Sequence, residues 1–86
     1  MPTISQFYGI TIRMYFNDHP PPHFHAIYGD AQATIDINTG MIIEGDLPAR
    51  ALALVREWAL LRRQVLNDNW SRCRAQQPIA QIDPLP

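Results

Sequence analysis

The chain contains no lysine, and only one of its 86 residues is cysteine. A lone Cys73 excludes an internal disulfide and cannot by itself build a thiolate metal cluster, so it reads as a small apolar helix residue. No apolar run approaches the roughly 20 residues of a membrane span. The opening Met1-Pro2-Thr3-Ile4-Ser5 has neither the basic start nor the apolar stretch of a signal peptide. These absences predict a cytoplasmic protein with no membrane association. Repeats and low-complexity stretches are also missing, so residues 1–86 are expected to form a single domain with a modest core.

With lysine absent, all positive charge is arginine, and it is unevenly placed. Residues 1–46 carry Arg13 against Asp18, Asp30, Asp36, Glu44 and Asp46, a net of −4. Residues 50–74 carry Arg50, Arg56, Arg62, Arg63, Arg72 and Arg74 against Glu57 and Asp68, a net of +4. An acidic half suits a cation better than a phosphate backbone. The basic half suits RNA, an acidic partner protein, or water.

The acidic half also holds all three histidines, within Asp18-His19-Pro20-Pro21-Pro22-His23-Phe24-His25. Histidine titrates near neutrality and is the commonest metal ligand, and three prolines in a row make a stiff extended arm.

Periodicity predicts strands first and helix afterwards. Ile10 to Phe16 alternates, with Ile10, Ile12, Met14 and Phe16 on the core face and Thr11, Arg13 and Tyr15 on the other. Phe24 to Tyr28 is a second strand and Gly29-Asp30 a two-residue hairpin turn. Ala31 to Ile37 is a third, and Asn38-Thr39-Gly40 turns the chain into Met41 to Glu44. The first turn pairs Tyr28 with Ala31, His25 with Thr34 and His23 with Asp36. The second pairs Ile37 with Met41, Ile35 with Ile43 and Thr34 with Glu44. The outer face then gathers His23, His25, Thr34, Asp36 and Glu44, with Arg13 and Tyr15 facing the same way if the first strand joins the sheet.

From Asp46, a suitable N-cap, and Pro48 onward the pattern is helical. Ala51, Leu54, Val55, Trp58, Leu61 and Val65 form one apolar stripe, extended at its edge by Leu66, Trp70 and Cys73. Arg62 and Asn69 interrupt it. Either the helix breaks near Asn67-Asp68-Asn69, the favoured expectation, or these two polar groups face a partner or a polar pocket. After Gln77-Pro78, Ile79, Ile82 and Leu85 are expected to anchor an extended tail. The fold class expected is α+β: a meander of about four antiparallel strands, packed on one face by one long or two short helices.

Several chemistries fit these residues. His23 and His25 with Asp36 or Glu44, and His19 if the arm folds back, could hold a divalent transition metal, two imidazoles and a carboxylate being a common ligand set. His23 or His25 beside Arg13 and Tyr15 could instead supply the acid and base of a metal-independent ribonuclease. The histidines and Asp36 could also simply hydrogen-bond across strands and seat the proline arm.

Met1-Pro2-Thr3-Ile4-Ser5, Phe7-Tyr8-Gly9-Ile10, Pro21-Pro22-His23-Phe24-His25-Ala26, Leu47-Pro48 with Arg50-Ala51-Leu52, Glu57-Trp58-Ala59 and Asn69-Trp70 resemble the small bacterial family called domain of unknown function 4160. Pro20 stands where that family is expected to carry a polar residue, and Arg62 where many relatives carry histidine. The resemblance implies no chemistry. Its members tend to be encoded beside another small protein, which implies a two-gene module, a toxin–antitoxin pair being one form. The leading expectation is therefore a non-enzymatic interaction module that works with the neighbouring gene product through its arginine-rich helices, with Arg56, Arg62, Arg63 and Asn69 as the candidate residues, or through an exposed sheet edge. The histidine-centred metal or ribonuclease site is the alternative.

Overall fold

The computed structural model describes residues 3–16 and 18–86, so Met1 and Pro2 of the opening segment lie outside the described residues. Five strands come first, β1 (Thr3–Phe7), β2 (Ile10–Arg13), β3 (His23–Tyr28), β4 (Ala31–Asp36) and β5 (Ile42–Asp46), then two helices, α1 (Ala49–Leu61) and α2 (Arg63–Arg74). The strands form one antiparallel meander in the order β1-β2-β3-β4-β5. This is the expected α+β architecture with one more strand.

The extra strand is β1, whose hairpin to β2 turns on Tyr8 and Gly9. Both sit at positive φ, 49° and 80°, which matches a two-residue turn whose twist suits the flanking strands. Tyrosine is an unusual residue there, so Gly9 is the turn's one composition signal. β2 stops at Arg13, where its pairing with both neighbours ends, at Thr3 on β1 and His25 on β3. Met14 still reaches the core, but Phe16 is exposed. The predicted inward row therefore fails at its last member, because the chain has left the sheet.

The β3–β4 hairpin has the expected register: Tyr28 pairs with Ala31, His25 with Thr34 and His23 with Asp36. The β4–β5 pair departs from it. Thr34 opposes Glu44 as expected, but Ile35 opposes Ile42, with a register shift between Thr34 and Ile35. Asp36 causes this. Its Oδ1 accepts hydrogen bonds from Asn38 N (2.7 Å) and Thr39 N (2.9 Å), and its backbone N–H donates to the Met41 carbonyl. That Asx turn lengthens the loop, and the Ile37 N–H goes to the Pro22 carbonyl instead of to Met41. Ile43 becomes the bulged residue and turns outward. Gly45, at φ +79°, must be glycine, because a Cβ there would run into the Gln32 carbonyl oxygen.

Helices α1 and α2 cover the inner face, where Trp58 meets Phe7 and Phe24 at ring-centroid distances of 5.3 and 5.6 Å. Pro48, not Asp46, occupies the N-cap position, and no side chain caps it. Asp46 ends β5 and bonds the Leu47 N–H. The helical region breaks at Arg62 (φ −108°, ψ 18°) and runs unbroken through Asn67 to Asn69. The reason is the tail. Asn69 is buried and clasps Ala80 from both sides, donating to its carbonyl (2.8 Å) and accepting from its N–H (3.1 Å). Arg62 donates to the carbonyls of Asp83 and Pro84, and the Trp58 indole N–H to Asp83. Ile82 and Leu85 are buried, and the Ile82 N–H bonds the Ile4 carbonyl at the β1 edge. The polar groups in the apolar stripe thus face the chain's own C-terminal segment.

Candidate metal centre

β3 starts with His23, and its side-chain period of two places His23 and His25 on the same face. Asp18 comes from the segment between β2 and β3, which α2 holds in place: Arg74 Nη1 donates to the Asp18 main-chain carbonyl at 2.8 Å. One carboxylate oxygen, Asp18 Oδ2, lies 3.2 Å from His23 Nε2 and 3.2 Å from His25 Nε2. The three donor atoms are all within 4.8 Å of one another.

Each ring is oriented from behind. His23 Nδ1 is 2.7 Å from the Pro21 carbonyl; a carbonyl only accepts, so Nδ1 carries the proton. The Trp70 ring lies 5.0 Å from the His23 ring and helps bury it. His25 Nδ1 meets Thr34 Oγ1 at 3.3 Å, and Tyr15 packs edge-on to His25 at 4.7 Å. The backbone carbonyl behind His23 is the outer partner that metal-bound histidines commonly have, fixing the tautomer and turning Nε2 forward.

The donors border a cleft of about 400 Å³, lined further by His19, Pro20, Pro21, Thr34, Ile43 and Glu44. His19 and Glu44 are exposed on its walls. Asp36 pairs with His23 in register, yet its carboxylate closes the β4–β5 loop. Arg13 pairs with His25 across β2 and β3; its Nε is buried and has no partner among the described residues. Arg62 and Asn69 are occupied by the tail, and Arg56 Nε bonds the Gly40 carbonyl at 2.8 Å. Arg63 is exposed.

Register reasoning missed Asp18, because it ranks only residues already on strands. The available signal was its place at the head of the proline–histidine segment. In the sequence Trp70 reads only as part of the helical apolar stripe and Arg74 only as part of the basic half; neither pattern ties them to the histidines. Cys73 adjoins this region. Burial, and after it the negative charge of Asp18, pushes its thiol up from the ordinary range, so it stays protonated at neutral pH.

A family model described as Domain of unknown function (DUF4160) matches residues 9–71 of the 86. The chain belongs to the DUF4160 family. The matched region contains Asp18, His23, His25 and Trp70 and leaves out β1 and the tail. No curated protein and no solved structure matches the chain. Among the described residues, no helix is long and apolar enough to cross a membrane.

Proposed function

We propose that this chain is a divalent transition-metal-binding domain, with the ion held by Asp18 Oδ2, His23 Nε2 and His25 Nε2. One observation carries the reading: the 3.2 Å approach of His23 Nε2 to Asp18 Oδ2 while Pro21 holds the proton on Nδ1. In neutral His23 both facing atoms are acceptors. Two acceptors at that distance need a cation or an extra proton between them.

The spacing supports a cation. Donors about 2.1 Å from a tetrahedral ion lie about 3.4 Å apart, close to the 3.2 Å of the two edges at Asp18. The His23–His25 edge, which is within 4.8 Å, must also be near that value for one ion to touch all three. Two imidazoles and a carboxylate suit zinc, iron(II), nickel or cobalt. Three protein donors leave the remaining positions open toward the cleft, where water or a ligand can exchange.

Metal analysis after zinc loading and desalting tests this. One ion per chain is expected, lost in Asp18→Asn, His23→Ala and His25→Ala variants whose circular dichroism shows them folded. Wild-type protein that retains no stoichiometric zinc, nickel, cobalt or iron(II) would refute it.

A partner role is the second reading, and a separate observation favours it. Leu60 and Leu61, at the end of α1, are 74% and 58% exposed. Leu60 shares a groove with Arg56 and Arg63. Exposed leucines rimmed by arginine suit a small acidic protein, here the product of a neighbouring gene. Co-expression with that neighbour, followed by size-exclusion chromatography, is the test. Separate elution of the two chains at micromolar concentration would end this reading.

A further inference from the structure

At the far end of β3 from His23 lies a second cleft, of about 430 Å³, a size typical of small-molecule sites. Tyr28 closes β3 five residues after His23, roughly 17 Å along the strand, so this cleft is separate from the metal centre. Its walls come from the β1–β2 turn, the end of β3 and the first turns of α1.

The lining combines two open aromatic rings with an apolar floor. Ile10 and Ala51 are buried and Leu54 is half-buried, whereas Tyr8 is 59% and Tyr28 41% exposed. Both rings are set in place. Tyr28 lies over Gly9, where a Cβ would come within 3.4 Å of its Cε1. Tyr8 adopts φ +49°, an unfavourable conformation for a bulky residue, and its hydroxyl donates to the Pro86 main-chain oxygen at 2.7 Å. Rings held in this way lose little freedom when a ligand arrives.

Charge narrows the occupant. Arg50 is the one charged residue lining the cleft among the described residues, and the first turn of α1 holds no acidic residue to neutralise it. We infer that this cleft binds a small planar aromatic monoanion, such as an aryl carboxylate or sulfonate. Its ring lies against Tyr8, Tyr28 and Leu54, and its acid group pairs with Arg50. A polyphosphate would bring more negative charge than one guanidinium balances.

The probe is 8-anilinonaphthalene-1-sulfonate, compared with its neutral analogue N-phenyl-1-naphthylamine, both followed by fluorescence titration. One saturable site is expected for the sulfonate. Arg50→Gln should weaken the sulfonate about tenfold or more, as expected for loss of a charged hydrogen bond, and leave the neutral analogue within about twofold. Leu54→Trp, which fills the cleft, should abolish both. Leu60→Ser, on the exposed leucine pair at the end of α1, should change neither; circular dichroism confirms that each variant is folded. The inference is overturned by sulfonate binding that ignores Arg50→Gln, by binding that survives Leu54→Trp or responds to Leu60→Ser, or by no saturable binding below about 1 mM.

Discussion

Asp18 and His23 face each other across 3.2 Å, and because the Pro21 carbonyl holds a proton on Nδ1, the neutral ring without a metal would oppose its Nε2 lone pair to the carboxylate. Replacing the carboxylate by an amide puts an N–H where the repulsion was. Asp18→Asn should therefore lower zinc affinity by more than about 100-fold, beyond the 10–100-fold typical of losing an outer-shell partner. The same variant, melted in EDTA, should have a Tm no lower than wild type. A marked destabilisation of metal-free Asp18→Asn would show that the contact is an imidazolium–carboxylate pair instead. Cys73 permits a second test at this scale. Its thiol is raised by burial and by Asp18, so the folded chain keeps that proton to higher pH than the unfolded chain does. The associated stability is complete at neutral pH and is lost as pH climbs above the ordinary thiol range. Urea unfolding should show a steeper alkaline loss in wild type than in Cys73→Ala, and iodoacetamide at pH 8 should label the thiol only after unfolding.

Among the elements, β5 departs most from its sequence pattern. Alternation places Ile43 inward opposite Ile35, but the Asp36 turn shifts the strand by one and Ile42 takes that place. The shift turns Ile43 outward to the metal cleft alongside Glu44. Gly45 secures the new path, because its φ of +79° and the adjacent Gln32 carbonyl leave no room for a side chain. Gly45→Ala should cost about 2 kcal/mol or more in urea unfolding. A near-neutral effect would mean that β5 can slip back to the regular register. The helices show the same dependence on context. Asn67-Asp68-Asn69 has the composition of a break, yet Asn69 is better satisfied inside α2 by the Ala80 backbone than it would be at a cap.

At the level of the whole molecule, the tail joins the sheet edge to both helices. It buries Ile82 and Leu85 and receives hydrogen bonds from Trp58, Arg62 and Asn69. Ending the chain at Gln77 should lower stability by about 3 kcal/mol, the value of two buried side chains less the ordering entropy recovered. It should also shift Trp58 emission to the red, because the indole loses both its cover and its acceptor. An unchanged Tm would mean that the tail is merely laid on the surface.

Much of the fold was legible because its causes are local. A period of two in residues 10–14 and 31–36, Gly29-Asp30 at a turn and a stripe recurring every three or four residues are enough to predict the meander, the β3–β4 register and a shared face for His23 and His25. The third donor was not legible. Asp18 is placed by Arg74, 56 residues away, and His23 is covered by Trp70. The break at Arg62 and the burial of Asn69 likewise depend on residues 80–84. Such contacts between distant segments leave no trace in local periodicity, since their energy exists only once the sheet, the helices and the tail have met. The sequence alone determined that two histidines share one face of one strand. Tertiary structure decided what faces them, because only packing brings a loop carboxylate within 3.2 Å of both rings.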